Sequence, residues 1–181
     1  MSGRADRRAL SSEQRAPSRL LLLSDTHIGP SRPARRLPDP VYDLLAGGVD
    51  AIVHAGDVTA PELLHELAGF APVHAVLGNN DVDLRLPERL ELELAGVRLA
   101  AVHDSGARDG RTARLRRWFP EADVVVFGHS HLPWHEVDPG GQHHINPGSP
   151  TERRRAPTRT VGVLELADGV VAGYELVHLG G

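Results

Sequence analysis

The 181-residue chain contains no cysteine and no lysine. Without cysteine there is no disulfide framework, no thiolate metal site and no cysteine nucleophile. Any transition metal must then be held by His, Asp, Glu or Asn. The lack of disulfides fits a cytoplasmic protein. Without lysine, Schiff-base chemistry and a phosphate-binding P-loop are excluded. All 20 basic side chains are therefore arginine, a genomic composition bias rather than a functional signal. No apolar stretch approaches the roughly 20 residues that span a bilayer, so no membrane association is expected. Residues 1–19 are polar and Arg-rich and lack an apolar h-region, so no secretory signal is expected either. Net positive charge is also missing. The chain carries −4 in total, and five arginines against Asp6 and Glu13 in residues 1–19 leave −7 on the remainder. An acidic body argues against extended nucleic-acid binding, and the length leaves no room for a DNA-binding cap domain.

What is present suits one globular core. Hydrophobic residues make up 40% of the chain, enough for a single domain. Residues 1–18 read as a disordered tail and 19–181 as the folded domain. Leu20 to Leu23 read as a buried strand, about Arg19–Ser24, which ends at Ser24-Asp25-Thr26-His27. A helix is expected over about Asp39–Ala46, with Asp39 as N-cap and Pro40 at the first helical position. Asp50–Ala55 is a second strand and Pro61–Leu67 a second helix. Val73–Leu77 is a third strand. Leu90–Ala95 and Val97–Val102 flank a turn and read as a hairpin. Gly110–Phe119 is a basic helix and Asp123–Phe127 another buried strand. The segments Trp134–Val137, Gln142–Ile145, Thr158–Leu166 and Val170–Val177 alternate and are expected to pair antiparallel.

Five of these strands end in residues that can ligate metal. They supply Asp25 and His27; Asp57; Asn79; His103; and His129 with His131. Singly each has an ordinary explanation, since Asp57 could cap a turn, Asn79 could favour a left-handed turn and His103 could be a satisfied core histidine. Five strand ends together, almost without Ser or Thr, are poorly explained by turn chemistry. In α/β proteins the carboxyl ends of strands are where ligands bind. Seven candidate side chains exceed what one ion needs, and two ions roughly 3.5–4 Å apart suit attack on phosphorus. Mixed N/O ligation without sulfur suits Mn, Fe, Zn, Ni or Co.

Asp25-x-His27, Gly56-Asp57, Gly78-Asn79, the lone His103 and Gly128-His129-x-His131 resemble, in order, the motifs of the calcineurin-like metallophosphoesterase superfamily. Asn146-Pro147-Gly148-Ser149-Pro150, with Arg153 and Arg154 nearby, is similar to the YfcE-like branch of small bacterial phosphodiesterases. The resemblance covers residues 19 to about 155. It implies an α/β fold, a single-domain four-layer α/β/β/α sandwich of two mixed sheets flanked by helices. It implies two divalent ions, manganese first. Asp25, His27, Asp57 and His131 would hold one. Asp57 would bridge to the second, completed by Asn79, His103 and His129, and a bridging hydroxide would attack phosphorus in line.

Two positions depart from that pattern. Asn80 stands where many members carry a histidine that protonates the leaving oxygen; an amide can donate a hydrogen bond but transfers no proton at neutral pH. Asn80 is therefore expected as a catalytic residue favouring leaving groups of low pKa. Asp104 stands where a substrate-side histidine is common, and either orients His103 or caps its loop. His54 reads as core or as support behind the ligands, His143 and His144 as surface residues, and Asn146–Ser149 as a rigid turn packed beneath the metal loops. The expected activity is metal-dependent phosphodiester hydrolysis of a small phosphoester. The alternatives are a nucleotide pyrophosphatase or phosphomonoesterase on the same site, or a non-catalytic protein-binding scaffold. Self-association into a homo-oligomer is expected by resemblance.

Overall fold

The four leucines that open the domain face two ways. Strand β1 (Ser18–Leu23) buries Leu20 and Leu22 in one apolar cluster and Leu21 and Leu23 in another. A strand apolar on both faces must be covered on both, and this requirement sets the layering. The computed structural model describes residues 18–29 and 32–180. The expected tail, residues 1–18, lies outside the described residues except for Ser18, which begins β1.

One five-stranded sheet contains β1, β2 (Ala51–His54), β3 (Val73–Ala75), β9 (Thr160–Ala167) and β10 (Val170–His178), in the order β10-β9-β1-β2-β3. The other contains β4 (Arg89–Leu94), β5 (Val97–Val102), β6 (Val124–Phe127), β7 (Trp134–Val137) and β8 (His143–Asn146), in the order β4-β5-β6-β8-β7. In the first, β1, β2 and β3 run parallel; in the second, β5, β6 and β8 do. The sheets stack through Leu20, Leu22, Val53, Leu99, Val124, Val126 and Leu164. Helices α1 (Asp39–Ala46) and α2 (Pro61–Ala68) cover the first sheet with Val41, Leu45, Leu63 and Leu67. Helix α3 (Arg111–Trp118) covers the second with Leu115. The result is the expected four-layer α/β/β/α sandwich. Each fully buried leucine of β1 contributes about 1.5–3 kcal/mol of burial free energy.

Three expectations are corrected. Pro38, not Asp39, is the N-cap of α1, and no side chain caps it. Asp39 lies inside the first turn, where its carboxylate favours the helix dipole and pairs with Arg36 at 2.7 Å. Strand β8 is antiparallel to β7 but parallel to β6, because the β7–β8 hairpin puts β7 on the edge and inserts β8 beside β6. His144 is consequently fully buried and hydrogen-bonds Gln142 Oε1 at 2.8 Å; it is not a surface residue. Only its neighbour His143 is half-exposed, against His135.

Candidate metal centre

Parallel strands within a sheet end on the same side. The segments after β1, β2 and β3 meet those after β5 and β6 at one edge of the sandwich. All seven expected ligands are gathered there. Asp25, His27, Asp57, His103 and His131 are buried, while Asn79 and His129 are exposed. Tight exits from the strands put Asp25, His27, Asp57, His129 and His131 at φ of +53°, +43°, +57°, +69° and +58°. Non-glycine residues rarely adopt this left-handed region, and such strain concentrates at functional sites.

The side chains converge closely. His27 Nε2 and His131 Nε2 are 3.2 Å apart. His131 Nε2 lies 3.3 Å from Asp25 Oδ1. Asp57 Oδ2 lies 3.4 Å from both His27 Nε2 and His103 Nε2. Asn79 Oδ1 sits 3.0 Å from His103 Nε2 and 2.9 Å from His129 Nδ1. Two compact groups result, Asp25–His27–His131 and Asp25–Asp57–His103.

The donor set suits a divalent cation. His131 Nδ1 donates to the Glu152 carbonyl and His103 Nδ1 to the Ala55 carbonyl, each at 2.8 Å. In the neutral rings these bonds leave both Nε2 lone pairs directed at carboxylate oxygens, an arrangement that a cation between them makes favourable. His27 Nδ1 is buried without a partner. Burial pushes Asp25 up to about 7 despite its bond from Ser24, and burial takes His131 down to about 4. Burial opposes ionisation of Asp57 too, but hydrogen bonds from His103 and Asn80 outweigh it and hold this carboxyl below its ordinary value. Buried carboxylates and imidazoles at this density make a candidate site for a divalent metal ion.

The backbone is fitted to this cluster. A Cβ on Gly78 would collide with the Asp57 side chain, and one on Gly128 would lie 2.8 Å from both Asp25 Oδ2 and Ser24 Oγ. Asp81 anchors the floor: Oδ2 accepts the N–H of Asp57 (2.9 Å) and of Gly78 (2.8 Å), and Oδ1 that of Thr59 (2.7 Å). It was missed from sequence because two of these partners lie more than 20 residues away. Its only local signal is an acid three residues after a glycine. Asn80 donates its backbone N–H to Asp57 Oδ1 and its amide to Oδ2, both at 2.8 Å. The turn at Asn146–Ser149 packs beneath the loops as expected, with Ser24 Oγ 2.9 Å from the Gly148 carbonyl and Ser149 Oγ donating to the Asp25 carbonyl at 2.7 Å. His54 is fully buried behind the cluster, with Nε2 3.1 Å from Thr26 Oγ1. Asp104 caps its loop by accepting the Gly106 N–H, while His103 Nδ1 uses Ala55.

Residues 19–169 match the calcineurin-like phosphoesterase superfamily domain. A probable metallophosphoesterase of Methanothermobacter thermautotrophicus is 37% identical over 164 residues, covering 88% of this chain and 91% of that protein. Among solved structures, a conserved uncharacterized protein of Streptococcus pneumoniae, described as a predicted phosphoesterase, aligns with a TM-score of 0.70 at 26% identity, over 91% of each chain. Vacuolar Protein Sorting 29 of Cryptosporidium parvum aligns with a TM-score of 0.75 at 18% identity, over 92% of this chain and 100% of that one, a likeness of fold alone. Among the described residues no helix is long and apolar enough to cross a membrane. A family match over most of the chain and a relative of nearly the same length agree with the ordered strand-end motifs, and the chain belongs to the calcineurin-like phosphoesterase superfamily, as a small metallophosphoesterase.

Proposed function

We propose that the chain is a phosphodiesterase that hydrolyses a small phosphoester with two divalent ions, manganese first, with Fe, Zn, Ni and Co as alternatives. The observation that carries this reading is the position of Asp57 Oδ2, equidistant at 3.4 Å from His27 Nε2 and His103 Nε2. These two histidines belong to different halves of the cluster, so one carboxylate can serve both. Asp25, His27, Asp57 and His131 would hold the first ion, and Asp57, Asn79, His103 and His129 the second. Bound there, the ions supply Lewis acidity toward the phosphoryl oxygens and a strong nucleophile at neutral pH.

The protein's own groups set the remaining chemistry. The carbonyls of Glu152 and Ala55 fix the tautomers of His131 and His103, and such support keeps ligand nitrogens aimed. The two bonds from Asn80 hold the plane of the Asp57 carboxylate. Asn80 has no proton to give a departing oxygen, so the leaving group must tolerate departure as an anion. Aryl and activated phosphodiesters meet that condition.

The test is hydrolysis of bis-p-nitrophenyl phosphate against p-nitrophenyl phosphate, first after EDTA and then with added Mn²⁺. Diester turnover is expected to be lost with EDTA, restored by Mn²⁺ and abolished in Asp57→Ala. Faster monoester turnover would assign the site to phosphomonoesters. Turnover of neither ester with metal bound would favour the scaffold alternative.

A further inference from the structure

A cleft of about 280 Å³ opens beside the cluster, on the side of the first sheet. The same three loops that carry Asp25 and His27, Asp57, and Asn79 form its walls. Ile28 and Arg32 come from the first, Thr59 from the second, and Asn80, Val82 and Asp83 from the third. An ester group with its phosphorus at the cluster would therefore extend an arm directly into this space.

Several of the lining groups are already engaged. Thr59 Oγ1 donates to the Ile28 carbonyl at 2.7 Å, and Asp81 is used by three backbone N–H groups. Three side chains of the lip bear on what the cleft can hold. Val82 is 87% exposed, the most exposed large apolar side chain among the described residues. Arg32 and Asp83 form no ion pair among the described residues. An isolated exposed valine is ordinary, but here it borders a cleft that also presents an arginine and a carboxylate beside the cluster. The Arg32 guanidinium complements phosphoryl oxygens. The Asp83 carboxylate disfavours a second anionic group but accepts hydrogen bonds from hydroxyls. Val82 offers an apolar surface to one face of a ring. The volume falls just below the roughly 300–1,000 Å³ of drug-sized ligand sites, which suits one ring system rather than a polymer.

We propose that this cleft holds the organic arm of the phosphoester, and that the arm is an uncharged, hydroxylated ring the size of a sugar or nucleoside. The proposal rests on the phosphoesterase reading of the adjoining cluster for its geometry, but its test reads binding alone.

The full chain, loaded with Mn²⁺, is titrated calorimetrically with uridine 5′-monophosphate and with inorganic phosphate. The nucleotide is expected to bind about tenfold tighter or more, a gain of about 1.4 kcal/mol. Val82→Ser and Asp83→Ala, both exposed changes outside the metal cluster, are each expected to weaken nucleotide binding by about threefold to tenfold and leave phosphate binding within about twofold. Equal binding of the two ligands by the unaltered protein overturns the proposal, even if esters are hydrolysed. So do variants that weaken both ligands alike. A nucleotide preference lost in the variants upholds the cleft even if no ester is turned over, in which case only the catalytic reading fails.

Discussion

Asp81 holds Asp57 by its backbone. Its Oδ2 accepts the Asp57 N–H at 2.9 Å and the Gly78 N–H at 2.8 Å, so one carboxylate joins the loop of Asp57 to the loop of Asn79. Replacing Asp81 with Ala strands three N–H donors in a site that is 7% exposed. Each unsatisfied donor costs about 1–3 kcal/mol, with incomplete additivity. Asp81→Ala is expected to destabilise the EDTA-treated protein by about 2–4 kcal/mol in urea unfolding, and to weaken Mn²⁺ binding by about 10–100-fold. An unchanged Mn²⁺ isotherm would mean that the ligand loops hold their positions without this anchor.

Asn80 offers a separable test of leaving-group chemistry. Asn80→His introduces a group that can transfer a proton, and general acid catalysis is worth about 10²–10⁴-fold where protonation limits the rate. The substitution also removes the amide bond to Asp57, so absolute rates are a poor measure. The ratio of phenyl to p-nitrophenyl ester hydrolysis isolates the effect. This ratio is expected to rise by about tenfold or more, and an unchanged ratio would show that Asn80 does not limit the leaving step.

The positions of the seven expected ligands were legible because each lies within four residues of the end of a strand, and hydrophobic pattern locates strand ends well. The layered fold was legible for the same reason: Leu20 to Leu23 allow no exposed face. What pattern does not encode is the neighbour a strand takes. Gln142–Ile145 alternates as an antiparallel strand would, and β8 does pair antiparallel with β7; its parallel contact with β6 and the burial of His144 depend on where the hairpin inserts. Asp81 was illegible for a related reason, since Asp57 and Thr59, two of its three partners, are brought to it only by the fold. Asp39 was misplaced by one position because Pro38 already provides the extended geometry a cap requires.

Gly128 carries a steric prediction. A Cβ there would sit 2.8 Å from Asp25 Oδ2 and 2.8 Å from Ser24 Oγ, well inside contact distance. Asp25 is fully buried and cannot swing into solvent. Gly128→Ala is expected to cost about 1–3 kcal/mol through overpacking and to lower Mn²⁺ affinity more than tenfold by displacing the Asp25 carboxylate. Thermal melts with and without Mn²⁺ separate the two effects. A variant that keeps the full Mn²⁺-induced rise in melting temperature would mean that the loop shifts to absorb the methyl group.

Far from the cluster, Asp138 provides a pH-dependent test of the fold. Arg116 grips it twice, Nε to Oδ2 at 2.8 Å and Nη2 to Oδ1 at 2.6 Å. The Gly140 and Gln142 N–H groups also donate to Oδ1. These bonds, that of Arg116 first, bring the carboxyl from 3.8 down to about 2. A carboxyl lowered by folding adds stability that is complete above its unfolded value and is lost as the pH falls toward its folded one. Asp138→Asn is therefore expected to lower the urea midpoint at pH 6, with the gap to the unaltered protein narrowing between about pH 4 and pH 2. Other acids titrate in both proteins and cancel in the difference. A gap that stays constant across that range would mean that the Arg116–Asp138 pair adds no charge-dependent stability and that the loop is held by packing and by the bonds of Gln142 to the Phe119 and Ala122 carbonyls.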